Sequence, residues 1–310
     1  MFRAYIFVLQ TLRLLQCVLE DSAKVLRNVL IAKTGAAVYT GSGSMLAEAI
    51  HSFADCGNQV LLYIGLRQSY KPADAEHPLG YGKVSYFWSF IVAILLFSMG
   101  GLFSIYEGWH KLHAPEGLSG VWVALLVLGV SIIIEMFSLY GCVREINKIR
   151  RGKLFLHWFR TTRNAELVVV LAEDVAAILG LMLAFCFILT AMITGNPVYD
   201  AAGSICIGVV LISIALFVAI RIKALIVGRS ADPEVQSAIN AIISKDDAID
   251  SVLNIITVQF GPHIMLAAKI RMYPGIPIER AVVRLNELER KIKQEQPDIR
   301  WCFIEPDVEE

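Results

Sequence analysis

Long apolar stretches separated by short polar connections dominate roughly the first 230 residues of the chain. A helix needs about 20 mostly apolar residues to cross a bilayer. The pattern predicts six membrane-spanning helices, over residues 25–43, 45–68, 86–110, 119–142, 166–193 and 199–222. The first is the weakest of the six, because Arg27 and Lys33 lie within it.

The segment before the first span, residues 1–20, mixes apolar residues with Arg3 and Arg13. This composition favours an amphipathic helix at the membrane surface over a seventh span. A cleaved signal peptide is disfavoured, because no small-residue cleavage site follows the apolar stretch. We therefore expect an amphipathic N-terminal segment over residues 1–20 and a transmembrane domain over residues 21–229.

From Ser230 onward the pattern becomes that of a soluble α+β domain, which we place at residues 230–310. Asp232 and Pro233 are typical of a helix start, and Gly261 and Pro262 separate two strand-like runs. The predicted elements are a helix to Ser244, strands over 252–260 and 264–272, a helix over 278–296 and a strand over 301–304. An αββαβ order predicts helices packed on one face of a three-stranded sheet.

The basic residues predict how the chain is oriented in the membrane. Seven Lys and Arg residues lie between Arg144 and Arg163, in the connection between spans four and five, and Arg67, Lys71 and Lys83 lie between spans two and three. The other connections have almost none. Loops rich in Lys and Arg stay in the cytoplasm, so both termini are expected to be cytoplasmic.

Composition agrees with a membrane protein: 56% of the residues are hydrophobic, 18% are charged and the mean hydropathy is +0.60. The 28 basic residues balance the 28 acidic ones, so nothing predicts a nucleic-acid partner. Six cysteines are scattered along the chain without any CxxC pair. We interpret them as packing residues rather than as disulfides or a thiolate metal site.

Ionisable residues inside the predicted spans are the candidates for chemistry, because burying them in a membrane is costly. The second span contains Glu48, His51 and Asp55. His51 and Asp55 are four residues apart and project from the same side of a helix, so both can hold one metal ion. The alternative is a hydrogen-bonded polar pair that only joins helices.

The fifth span adds Glu173 and Asp174, which together can complete a four-ligand site with the pair in the second span. Adjacent residues diverge by about 100° around a helix, so Asp174 is our first choice and Glu173 our second. Nitrogen and carboxylate ligands suit Zn²⁺ without excluding Mn²⁺, Co²⁺ or Fe²⁺. Glu48 and Glu135 are candidates for the cation path or a proton relay, or for plain hydrogen bonds between helices.

Two motifs resemble those of the cation diffusion facilitator family. Residues 40–55 read TGSGSMLAEAIHSFAD, similar to a signature that ends in HSxxD, and residues 76–83 read EHPLGYGK, similar to an HPxGxGK loop. Six spans, a basic fourth loop and an αββαβ tail complete the resemblance, which also supports the weak first span. It implies a homodimeric exporter that exchanges a metal ion for protons.

Three departures from the family pattern are apparent. Val170 stands where most members carry a ligand one turn before Asp174, and the Glu-Asp pair resembles the branch of mitochondrial-type zinc transporters. In the loop, Asp74 and His77 match a second metal site of some relatives, but Tyr81 replaces its second histidine. In the tail only His263 remains, with Ala267 and Lys269 at positions of other ligands, so dimerisation is the expected role of the tail.

The resulting expectation is a multi-pass membrane protein of the bacterial inner membrane that exports a divalent transition metal by alternating access. Zinc is the expected cargo and protons are the expected counter-ion. No enzymatic activity is expected, and no HExxH motif of a metalloprotease occurs. The alternative that remains open is a scaffold or regulator that keeps the fold without transporting.

Overall fold

The computed structural model describes residues 30–41, 43–113, 120–150 and 152–309, with the backbone alone at residues 43, 44, 47, 48, 51 and 55. The predicted amphipathic segment 1–20 lies outside the described residues. The chain divides into two compact units. The first holds the long apolar helices, and the second holds residues 68–86, 154–164 and 224–310.

The first unit is built from helices whose interiors contain no proline. Proline would remove a backbone hydrogen bond and clash with the preceding turn. The helices are α1 (residues 30–40), α2 (Gly43–Ser69), α3 (Val84–Leu95), a π-helical segment (Leu96–Leu102), α4 (Phe103–His113), α5 (Val121–Ile149), α7 (Ala165–Thr194) and α8 (Val198–Val227). One shared apolar cluster contains residues of α1, α2, α5, α7 and α8 together with Leu96 of the π-helical segment.

Four helices of the described chain are long and apolar enough to cross a bilayer: Val84–His113, Val121–Ile149, Ala165–Thr194 and Val198–Val227. They correspond to predicted spans three to six, and their ends differ from the predicted ones by one to seven residues. Helix α2 has 27 residues and covers the second predicted span. The first span begins outside the described residues, so the count of six stays a prediction.

Glycines allow α8 to approach the π-helical segment and α4 very closely. A Cβ at Gly208 would lie 2.6 Å from the carbonyl oxygen of Gly101, and one at Gly108 would lie 2.6 Å from that of Ala201. Distances this short are incompatible with any side chain. Membrane helices have little hydrophobic drive to associate, so close backbone packing through small residues is a main source of their affinity.

The second unit contains the tail, whose elements follow the predicted αββαβ order. They are α9 (Pro233–Ile243), β1 (Ile249–Phe260), β2 (His263–Met272), α10 (Ile278–Glu295) and β3 (Ile299–Pro306). The Asp232 side chain accepts a hydrogen bond from the backbone N–H of Glu234, which caps α9 as the sequence predicts. Strands β1 and β2 pair antiparallel through a tight turn at Gly261, and β2 and β3 pair parallel because α10 connects them.

The tail has its own core between the sheet and its helices. Alternate residues of β2 are buried, namely Ile264, Leu266, Ala268 and Ile270. They pack with Ile239 of α9 and Leu288 of α10 in one cluster. A strand with one buried face produces this period of two.

Two segments outside the tail sequence pack onto it within the second unit. The backbones of Gly82 and Gly261 touch, since a Cβ on Gly261 would lie 2.5 Å from the Gly82 carbonyl oxygen. Tyr86 donates its hydroxyl to the carbonyl of Gly261 at 3.2 Å. Arg163, just after a short helix α6 (Phe155–Thr161) that the sequence did not predict, donates to the Ser230 carbonyl at 2.7 Å.

These contacts join the two basic connections to the tail. Residues 68–86 and 154–164, which belong to these connections, thus form one compact unit with the tail.

The close packing at Gly208 generates a stability prediction. Gly208→Ala should lower the free energy of unfolding by about 1–3 kcal/mol, because the new methyl group overpacks the contact with Gly101. Thermal unfolding of the purified chain in detergent measures the effect. Gly129→Ala is the matched control, since nothing lies within 4 Å of its Cβ position on α5. Equal melting temperatures for the two variants would contradict the packing.

Candidate metal site between membrane helices

Two adjacent acids on α7 form the centre of the candidate site. Glu173 is 5% exposed and Asp174 is 9% exposed, more than two turns inside a helix of 30 residues. The residues around them are mostly small, including Ala172, Ala176 and Ala177. Small neighbours let adjoining helices come close enough to supply hydrogen-bond donors, which a buried carboxylate requires.

Glu173 is turned toward α2. Its Oε1 accepts a hydrogen bond of 2.7 Å from Nδ2 of Asn58, a buried residue on that helix. Positions 51, 55 and 58 follow one another by four and three residues and therefore share a face of α2. The carboxylate of Glu173 thus meets α2 one turn beyond position 55, on the face that carries positions 51 and 55.

Asp174 contacts a different helix. Its Oδ1 accepts a hydrogen bond of 3.1 Å from the hydroxyl of Ser138 on α5. The two acids are neighbours in sequence and project about 100° apart, so one meets α2 and the other meets α5. The divergence expected from the sequence is therefore present, and both acids still lie in the interior of the helical unit.

Glu135 lies on α5 three residues before Ser138, hence on the same side of that helix, and it is 4% exposed. This burial agrees with an interior position for the predicted path residue. Val170, one turn before Asp174, is half-buried and offers no donor atom.

The side chains of Glu48, His51 and Asp55 lie outside the described residues, and only their places on α2 are defined. Among the side chains that the structure describes, no group of three or more His, Cys, Asp or Glu is close enough to hold a metal ion. The predicted four-residue site of His51, Asp55, Asp174 and Glu173 therefore stays a prediction.

A buried lysine contacts α2 at Ser52, which projects about 100° around the helix from position 51. The ammonium group of Lys33 on α1 is fully buried and donates to the hydroxyl of Ser52 at 2.8 Å. In the sequence, this lysine only weakens the prediction of the first span. Its burial beside residue 52 shows that α1 contributes a polar amine group to the interior of the unit.

Asn58 and Ser138 are the functional candidates that the sequence reasoning missed. Both are polar residues in apolar spans, and each lies three residues after an acid, Asp55 and Glu135 respectively. Helical spacing from a known candidate is the signal that would have found them.

In the predicted second metal site, both carboxylate oxygens of Asp74 already accept hydrogen bonds from the protein. Asp74 accepts from the backbone N–H of His77 at 2.7 Å with one oxygen and from the Tyr81 hydroxyl at 2.6 Å with the other. The Tyr81 hydroxyl holds the pKa of the Asp74 carboxyl below its usual value, and the His77 bond adds to this shift. These hydrogen bonds fix the loop between Asp74 and Tyr81.

In the tail, Lys269 and His263, which stand at positions where the family pattern places metal ligands, make structural contacts. Lys269 pairs with Asp307 at 2.7 Å, which ties β2 to the chain end after β3. His263 lies against Trp301 with ring centroids 6.2 Å apart. Burial, and secondarily the charge of Arg300, lowers the pKa of His263 from its usual value of 6.5.

The lowered pKa of His263 predicts that acid destabilises the tail. The unfolded chain takes up a proton as pH falls through about 6.5, whereas the folded tail resists it, so stability is lost below that pH. Between pH 7.5 and 5.5, the melting temperature of the full chain should fall by a few degrees, on the order expected for a small domain. His263→Phe should flatten this dependence.

His157→Phe is the control for that experiment, because His157 is exposed on α6. It should leave the pH dependence of melting as in the wild type. A wild-type slope that survives in His263→Phe would contradict the assignment.

Comparisons with known proteins identify relatives of this chain. The family model for the cation efflux transmembrane domain matches residues 25–223. The proton-coupled zinc antiporter SLC30A9 of Xenopus laevis mitochondria is 34% identical over 257 residues, which is 82% of this chain and 45% of that protein. Metal tolerance protein C4 of Arabidopsis thaliana is 31% identical over 83% of this chain and 55% of its own length.

A bacterial relative matches over most of its length: the cation-efflux pump FieF of Yersinia enterocolitica is 26% identical over 89% of this chain and 87% of that protein. The chain spans about half the length of the other two relatives. With its multi-pass apolar helices, its buried α7 acids and a model match over well over half of its residues, the chain belongs to the cation efflux family.

Proposed function

We propose that this chain is an exporter of divalent transition-metal cations, with zinc as cargo and protons as counter-ion. The observation that carries the proposal is the bond between Asn58 and Glu173, because it joins the acids of α7 to the face of α2 that bears positions 51 and 55. The relatives named as a zinc antiporter and a cation-efflux pump support the same activity.

The proposed site consists of His51, Asp55, Asp174 and Glu173. An imidazole and three carboxylates suit zinc, and the oxygen-rich set also accepts Mn²⁺, Co²⁺ or Fe²⁺. Glu48 and Glu135 are proposed to line the path or relay protons. A second site at Asp74 and His77 is a weaker proposal, since the Tyr81 hydroxyl occupies one Asp74 oxygen.

The exchange of metal for protons follows from ligand chemistry. Histidine and carboxylates bind metal only when deprotonated, so protonation of the site lowers its affinity for the cation. A site that opens alternately to the two sides can then bind metal on the cytoplasmic side and release it where protons are more concentrated. The acids need no other co-reactant for this cycle.

The proposed organisation has six spans in a transmembrane domain over residues 21–229, an amphipathic segment at 1–20 and a cytoplasmic tail at 230–310. Both termini are cytoplasmic in this proposal, supported by the basic connections packed with the tail. The tail is proposed to form a homodimer. The proposed location is the bacterial inner membrane, although the relatives include mitochondrial proteins as well as bacterial ones.

Transport by the purified chain in liposomes tests the activity. A vesicle acidified inside should take up Zn²⁺ and lose internal protons, read with a zinc dye and a pH dye. Asp174→Ala should reduce uptake about 100-fold or to background, since it removes a ligand outright. Glu107→Ala, an acid of the third span outside the site, is the control and should transport normally.

A rival function is a membrane scaffold that keeps the fold without transporting, motivated by Val170 and by the absent tail ligands. The two functions predict opposite results for the wild type, and only the scaffold predicts that Val170→His gains a missing activity. In a scaffold, wild type carries no metal and the added imidazole restores uptake. In an exporter, wild type already transports, and uptake by wild type that is unaffected by Asp174→Ala and Asp55→Ala would contradict the proposed site.

A further inference from the structure

Asn58 is the buried polar side chain whose chemistry the predicted site does not use. It is fully buried on α2, one turn beyond position 55. A primary amide carries two N–H donors and one carbonyl acceptor. Buried polar groups nearly always have partners, so each end of this amide needs one.

The amide's nitrogen has its partner. Nδ2 donates to Oε1 of Glu173 at 2.7 Å. Because an ionised carboxylate only accepts hydrogen bonds, the NH₂ end of Asn58 must face Glu173 and the carbonyl end must face away. The neighbour therefore fixes the orientation of the amide.

The amide's oxygen lacks a partner in the part of the chain that the structure describes. Oδ1 is buried and accepts no hydrogen bond from any described residue. Leaving a buried carbonyl oxygen unsatisfied is unfavourable. A cation would satisfy it, because amide carbonyl oxygens are regular metal ligands.

We infer that Asn58 is a further residue of the cation site, with Nδ2 holding Glu173 in place and Oδ1 binding the metal directly. The inference rests on the proposed function, since it needs a cation delivered between α2 and α7. Asn58 then supplies from α2 a donor atom that Val170 does not supply from α7.

An amide oxygen also affects which metal is preferred. Carbonyl and carboxylate oxygens suit Mn²⁺ better than softer ligands do, whereas zinc is held well by imidazole and carboxylate alone. Removing Oδ1 should therefore weaken Mn²⁺ binding more than Zn²⁺ binding.

Calorimetric titration of the purified full chain with Zn²⁺ and with Mn²⁺ tests the inference. Asn58→Ala should weaken Zn²⁺ about tenfold and Mn²⁺ by clearly more. The near-isosteric Asn58→Leu should do the same, and it keeps the test valid if alanine unfolds the helices, because it fills the same volume without polar atoms. Melting temperatures identify the folded variants.

Ser89→Ala is the matched control, since Ser89 is fully buried on α3 and its hydroxyl accepts and donates no hydrogen bond among the described residues. It should leave the affinities and their ratio unchanged. An unchanged Mn²⁺ to Zn²⁺ ratio in the folded Asn58 variants would overturn the inference.

Direct binding is separated from an effect through Glu173 by combining substitutions. If Oδ1 binds the metal, Asn58→Ala must weaken binding further in a Glu173→Gln background; no further loss there would limit Asn58 to positioning Glu173 and overturn direct binding. Absence of any metal binding by wild type would refute the proposed function instead, so the two failures are distinct.

Discussion

A carboxylate inside a membrane helix must obtain its hydrogen bonds from protein, because hydrocarbon offers none. Glu173 and Asp174 face this constraint together, and the chain meets it with Asn58 of α2 and Ser138 of α5. Each bond requires its helix to lie close to α7. The small residues around the acids allow that approach, so the position of α7 between α2 and α5 depends on satisfying these two charges.

The same constraint explains why the polar residues of the unit are concentrated in its interior. Lys33 is fully buried with its ammonium on Ser52, and Glu135 is buried on α5 near the height of Ser138. Ionisable side chains of both kinds are thus held among helices whose outer faces are apolar. A cation entering this interior would meet oxygen atoms already fixed in place, which reduces the ordering needed to bind it.

Much of the architecture follows from pattern, because hydrophobic length and period report directly on burial. Spans three to six and the five tail elements lie within a few residues of their predicted positions. Helix α6 was missed because seven residues, Phe155 to Thr161, are too short for a periodic signal. Candidate acids were found from their cost in the membrane, whereas Asn58 was not, since an uncharged amide is less conspicuous and its partner is 115 residues away.

The glycine contact in the second unit has a consequence for how the chain can change. Gly82 and Gly261 touch backbone to backbone, so neither position tolerates even a methyl group unless the other segment retreats. The loop after α2 and the β1–β2 turn therefore depend on each other. Exchanging the tail for that of a distant relative would succeed only if its turn also carried a glycine at this position. Chimaeras of such proteins should be cut so that both glycines come from the same parent.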